Sequence, residues 1–239
     1  MILYVGDLHG STYAARKIDE WAVANGVTSI VQVGDFGLLW RGLDDYEESF
    51  YSYFYCREPS LPIWYVCDGN HENHTAWRTL AERQGNPDLV ELLPNCYWVQ
   101  RGRIISLEGK KHLFFGGAES IDRHNRTEGT SWWPEETPTN SEFNSFFEAI
   151  EDEKPDVIVT HDAPKDIDIW RIDGRNSATP RTLGQIWNSL THRPTHWMFG
   201  HHHTLERWKL SNTDFFCCGI EGEGWAVDFQ HNIENIMSI

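Results

Sequence analysis

Asp7 and His9 in GDLHG, Asp35 in GDFG, Asn70 and His71 in GNHE, His161 in THD, and His201 and His203 in GHHH all bring cation-binding side chains. Each string follows within four residues of a short apolar run, at 2–5, 30–33, 63–66, 157–159 and 197–199. Runs of that length bounded by glycine read as buried strands, which would gather the ligands on one edge of a sheet. Carboxylates, an amide and imidazoles collected in that way form the pattern of a two-metal hydrolytic site. In D-x-H, alternate residues of an extended backbone point the same way, so Asp7 and His9 can share a metal; the same alternation pairs His201 with His203 and sends His202 elsewhere. Asp35 is the bridging candidate, because each of its two carboxylate oxygens can serve one ion.

Taken singly, every string has an ordinary role. Asp7 suits a turn, Asn70 an N-cap with Glu72 in the first helical turn, and a lone His161 a hydrogen-bonded core position. Five strings of the right type at five strand ends are another matter. In this order, and over nearly the whole chain, GDLHG, GDFG, GNHE, THD and GHHH resemble the calcineurin-like metallophosphoesterase superfamily. The resemblance implies one domain over residues 1–239 and an α/β fold, a four-layer α-β-β-α sandwich of two mixed β-sheets flanked by helices. The metal site would lie at strand C-terminal ends. It implies two divalent metal ions, manganese first with iron, zinc or nickel as alternatives. Asp7, His9, Asp35 and His203 would hold one ion; Asp35, Asn70, His161 and His201 would hold the other. His71 is then the general acid that protonates the leaving oxygen while a metal-bridging hydroxide attacks phosphorus in line, and an imidazole of ordinary pKa, about 6.5, suits that task at neutral pH.

The chain also departs from its nearest branch, the phosphoprotein phosphatases and diadenosine tetraphosphatases. Their GDxxDRG string requires Asp and Arg where Leu38 and Leu39 stand, and the nearest arginine is Arg41; their RGNHE string has arginine where Asp68 stands. A carboxylate beside the phosphate penalises a dianionic monoester more than a monoanionic diester, so Asp68 favours a small phosphodiester or nucleotide as substrate. Phosphomonoesterase or phosphoprotein phosphatase, nuclease, and a catalytically silent metal-binding scaffold are the alternatives.

The elements that position these residues are read from periodicity. Helices are expected over 11–25, 44–57, 74–84, 142–152 and 182–190, with Ser11 or Thr12 as a cap and Gly26 as a stop to the first. Strands at 97–99, 103–107 and 111–115 read as a meander, and 214–219 and 224–229 close the chain. Residues 119–140 fit neither period; so long a segment inside a compact domain is usually functional or disordered, and its two adjacent tryptophans favour an ordered loop. Its part from 120 to 136 is expected to cover the metals, with Arg123, His124 and Arg126 on phosphate oxygens and Trp132 and Trp133 offering faces for a base.

A formal net charge of −16 argues against a broad nucleic-acid-binding face, because that affinity comes from Lys and Arg neutralising phosphates. The expected partner is a small phosphoester or nucleotide, with no membrane, since no apolar stretch approaches the length of a span. Five cysteines without a CxxC pair read as buried thiols in a reducing cytoplasm.

Overall fold

The computed structural model describes residues 1–40, 45–167, 169, 177–229 and 232–236. Strands β1 (Ile2–Val5), β2 (Ser29–Gln32) and β3 (Ile63–Val66) run parallel and are joined by α1 (Thr12–Ala24) and α2 (Asp45–Tyr55). Helix α3 (His74–Arg83) leads through β4 (Leu89–Leu93) to β5 (Cys96–Val99), parallel to β3 and antiparallel to β4. The next elements are β6 (Arg103–Leu107), β7 (Lys110–Phe115), α4 (Asn140–Glu153), β8 (Val157–Thr160), α5 (Ala178–Ser189) and β9 (His196–Phe199). The strands β10 (Glu206–Leu210), β11 (Thr213–Cys217), β12 (Gly224–Asp228) and β13 (Asn232–Ile236) follow.

Local chemistry sets the helix starts. The Ser11 hydroxyl accepts from Ala14 N to open α1, Asn73 caps α3 by accepting from Ala76 N, and Thr139 with Glu142 forms a capping box on α4. Ala14, Ala15, Ile18 and Ala22 recur at helical spacing and are the buried face of α1.

Among the described residues the strands form a seven-stranded sheet, ordered β13-β12-β1-β2-β3-β5-β4, and a six-stranded sheet, ordered β10-β11-β9-β8-β7-β6. Both are mixed, and helices cover their outer faces, which gives the expected four layers. Alternation along each strand sorts the side chains. Leu3 and Val5 of β1 face outward into the cluster that holds α1 to α3, whereas Ile2 and Tyr4 face the layer between the sheets. On β9, Trp197 and Phe199 pack with α4 and α5 while Met198 turns inward. Strands covered on both faces are therefore apolar throughout, which is why they are legible as runs. Each such buried side chain contributes about 1.5–3 kcal/mol relative to exposure.

Two expectations need correcting. The meander of 97–115 is divided: β5 belongs to the first sheet and β6 and β7 to the second, because the turn at Gly102, with φ of +77°, carries the chain from one to the other. Strands β4, β10 and β13 were not anticipated. β10 carries Glu206, Arg207 and Lys209 on an exposed edge, where neither an apolar run nor a clean alternation is needed.

Candidate metal centre

The carboxyl ends of β1, β2 and β3 in one sheet and of β8 and β9 in the other meet at a common rim, the place where parallel strands leave ligand-binding loops. There the chain turns sharply instead of continuing extended. His9, Asp35, His201 and His203 all have left-handed backbone, with φ of 48°, 56°, 65° and 50°. Strain of this kind costs about 1–3 kcal/mol per residue and persists where the surroundings over-determine it. The alternation assumed for D-x-H and H-x-H is therefore not what aims these side chains. Left-handed turns do so, braced by Leu8 and His9 N–H donating to the Asp35 carbonyl at 3.0 and 2.9 Å. Glycine next door is obligatory for packing: a Cβ on Gly34, whose φ is +107°, would fall 2.2 Å from Nδ1 of His161.

The side chains converge in three overlapping groups, Asp7 with His9 and His203, His9 with Asp35 and His71, and Asp35 with His161 and His201, each with ligand atoms within 4.8 Å of one another. Asp35 belongs to two of them. Its Oδ1 lies 3.2 Å from Nε2 of His161 and accepts the His71 N–H at 2.8 Å, while Oδ2 lies 3.7 Å from Nδ1 of His71 and 4.0 Å from Nδ1 of His9. Asn70 joins through Oδ1, 3.1 Å from Nε2 of His161. Asp7 Oδ1 accepts from His201 N at 3.1 Å, and Nε2 of His203 sits 3.0 Å from Oδ2.

These residues fit divalent cations. Asp7 Oδ2 is buried without a well-directed hydrogen bond, although two imidazole nitrogens approach it. His161 donates Nδ1–H to the Val33 carbonyl at 2.9 Å, which leaves Nε2 toward the cluster, the arrangement a ligating histidine takes. Burial works against charge at Asp35, yet His161 and His71 beside it hold its carboxyl well below the usual range. Burial likewise opposes a charge on His161, but Asp35 pushes that imidazole up to about 10, whereas burial holds His201 down to about 4. A proton on His161 thus answers the carboxylate where a cation would replace it.

His71 has an unanticipated setting. It stacks on Trp40, with centroids 4.3 Å apart and planes at 7°, and its Nε2 accepts from Arg126 Nη2 at 2.8 Å. Burial pulls its pKa down to about 4. Glu72 accepts from Phe36 N at 2.7 Å and Gly37 N at 3.1 Å, tying the loop after β3 to the loop after β2.

Of the expected substrate residues that are among the described residues, only Arg126 is brought to the cluster. Arg41 lies outside the described residues. Asp68 is fully buried, 2.6 Å from Arg101 Nη2, and accepts from Trp98 Nε1 at 3.1 Å. Burial would raise its pKa, but Arg101 keeps it ionised, so the carboxylate does not face a phosphate. Arg123 is exposed and paired with Glu119, and His124 is exposed beside Asn125. Trp133 is buried and Trp132 half-buried next to Glu136, so neither is an open stacking face. Trp40 and the polar partners Ser120 and Glu136 were missed. An aromatic residue five positions after Asp35 was the one available signal for Trp40.

The family model for calcineurin-like phosphoesterases matches residues 1–205. The chain belongs to the calcineurin-like phosphoesterases. This family binds divalent metal ions and hydrolyses phosphoric esters. No curated protein matches the chain. Solved structures with the same fold include a protein of Thermus thermophilus, 15% identical over 98% of this chain and 96% of that one, with a TM-score of 0.59. Another is the anchor in the inner membrane complex of Plasmodium, 14% identical over 91% and 70%, with a TM-score of 0.58. The phosphopantetheinyl hydrolase of Mycobacterium tuberculosis is 13% identical over 92% and 89%, with a TM-score of 0.50.

Proposed function

We propose that this phosphoesterase acts on a small phosphate ester at a binuclear centre, with Asp7, His9, Asp35 and His203 on one divalent ion and Asp35, Asn70, His161 and His201 on the other. The observation that carries the reading is the carboxylate of Asp35, whose two oxygens face different ring nitrogens, His161 on one side and His71 and His9 on the other. Two such ions supply Lewis acidity toward the phosphoryl group and a nucleophilic water at neutral pH. Manganese is the first choice, and iron, zinc or nickel suit the same donors.

The chain's own residues do the rest. Arg126 presents N–H donors at the cluster, and a phosphate oxygen that takes them over releases Nε2 of His71. The anionic substrate then favours a proton on that nitrogen, for delivery to the leaving oxygen. Trp40 keeps the ring in plane for the transfer.

The preference for diesters that Asp68 suggested loses its ground, because Arg101 neutralises that carboxylate away from the site. A nucleotide remains among the small esters that fit. A single domain over 1–239 is part of the proposal and is supported by β12 and β13, which complete the sheet that β1 begins. So is a cytoplasmic location, supported by five free thiols. Among the described residues no helix is long and apolar enough to cross a membrane.

The deciding experiment is reconstitution of the metal-free protein with Mn²⁺, with metal analysis and hydrolysis of p-nitrophenyl phosphate and bis(p-nitrophenyl) phosphate. Two ions per chain are expected, with activity that needs both. An Asp35→Asn protein that keeps two ions and full activity would remove the bridge and with it the reading.

A further inference from the structure

Ser120 Oγ stands at the junction of three side chains. Its O–H donates to Oε2 of Glu136 at 2.8 Å, and the Ser120 N–H donates to Oε1 at 2.6 Å. Both residues are buried, with exposures of 2% for Ser120 and 0% for Glu136. With the hydroxyl proton directed at Oε2 of Glu136, the lone pairs of Oγ are left to accept in turn. Asn70 Nδ2 donates to that oxygen at 3.1 Å, and Arg126 Nη1 approaches it at 3.4 Å. An amide carries its oxygen opposite its NH₂. With the donor held toward Ser120, Oδ1 of Asn70 is turned toward the cluster, 3.1 Å from Nε2 of His161.

We propose that Ser120, locked by Glu136, is a positioning residue that sets the rotation of the Asn70 amide so that its oxygen, and not its nitrogen, faces the second cation. The proposal rests on the reading of Asn70 as a ligand. A rotated amide would present an NH₂ group, which has no lone pair to offer a metal. The segment that fits no regular period therefore does more than cover the centre: it completes one of the two cation sites from a distance of 50 residues in sequence.

The test is calorimetric titration of metal-free protein with Mn²⁺, alongside the visible absorption of the Co²⁺ form. Ser120→Ala is expected to weaken one of the two sites by about 10–100-fold, as loss of a partner behind a ligand typically does, and to change the Co²⁺ bands. Ser120→Thr, which keeps the hydroxyl, should restore both. In an Asn70→Asp background there is no amide to orient, so Ser120→Ala should have little further effect. If Asn70→Ala leaves both affinities unchanged, Asn70 is not a ligand and the underlying reading fails. If Asn70→Ala weakens one site but Ser120→Ala does not, the positioning role is overturned while the reading stands. Equal losses from Ser120→Ala with Asn70 and with Asp at that position would also overturn it, by showing a general effect on packing.

Discussion

Arg126 donates from Nη2 to Nε2 of His71 at 2.8 Å, so the nitrogen proposed to protonate the leaving oxygen is already held by an arginine. The same guanidinium pairs with Asp122 at 2.8 Å and stands 5.5 Å from the centroid of the Trp40 ring. An arginine shared among an imidazole, a carboxylate and an aromatic face is poised to change partners when a phosphate offers more charge.

Replacing Arg126 tests that exchange. Hydrogen bonds to charged groups are worth about 1.5–3 kcal/mol, so Arg126→Ala should lower kcat/KM by about 10–100-fold. The melting temperature should stay close to that of the wild type, because the side chain reaches from a loop rather than from the core. Steady-state kinetics with p-nitrophenyl phosphate and a differential scanning trace provide the check; unchanged kcat/KM would remove Arg126 from the phosphate.

Asp68 should behave as a structural residue. Removing one member of a buried ion pair costs about 3–5 kcal/mol, because the other charge is left uncompensated. Asp68→Ala is therefore expected to lose stability of that order in urea unfolding, while the ratio of monoester to diester turnover in the folded fraction stays as it was. A selective gain on the monoester without loss of stability would return Asp68 to the substrate.

The carboxyl of Glu136 ties stability to pH. Burial pushes its pKa up to about 7, against the lowering effects of Ser120, Trp132 and the nearby Arg126, from an ordinary value near 4.5. A raised carboxylate takes up its proton more readily when folded, so its contribution is complete below about pH 4.5 and is lost as pH rises through about 7. The shift corresponds to about 3 kcal/mol at most. Comparing urea unfolding of the wild type and Glu136→Gln at pH 5 and pH 8 should show a steeper decline in the wild type; parallel declines would mean that the carboxyl does not titrate in that window.

Gly34 offers a steric test. A Cβ there would lie 2.2 Å from the His161 ring on a backbone with φ of +107°, so Gly34→Ala must displace the ring or the loop. The left-handed strain alone costs about 1–3 kcal/mol. Metal analysis should show loss of the ion assigned to His161 and His201, with the other retained. Two ions bound as in the wild type would show that the rim can relax around the methyl group.

Much of the centre was legible in the chain because ligand types, glycines and apolar runs are local features. A strand buried on both faces has to be apolar, a ligand at its end has to follow within a few residues, and the tight rim demands glycines beside them. Those grounds single out Asp7, His9, Asp35, Asn70, His71, His161, His201 and His203, and only the resemblance to the family separates His71 from the proposed ligands. Their common direction does not come from strand alternation. Left-handed φ values aim His9, His201 and His203, and a two-residue alternation does not describe them.

What tertiary structure alone decided is which partner satisfies each remaining polar group. Asp68 reads in sequence as a carboxylate beside the phosphate; 33 residues later Arg101 arrives from the turn after β5 and closes it off. Trp133 is absorbed by the core, whereas Trp40 stacks on His71. Ser120 and Glu136, ordinary residues of an irregular segment, meet Asn70 only because the loop folds back over the rim. Periodicity and turn chemistry act between neighbours in the chain. The pairing of a buried charge or amide is settled by whichever group long-range packing brings within about 3 Å, and that is a property of the assembled fold.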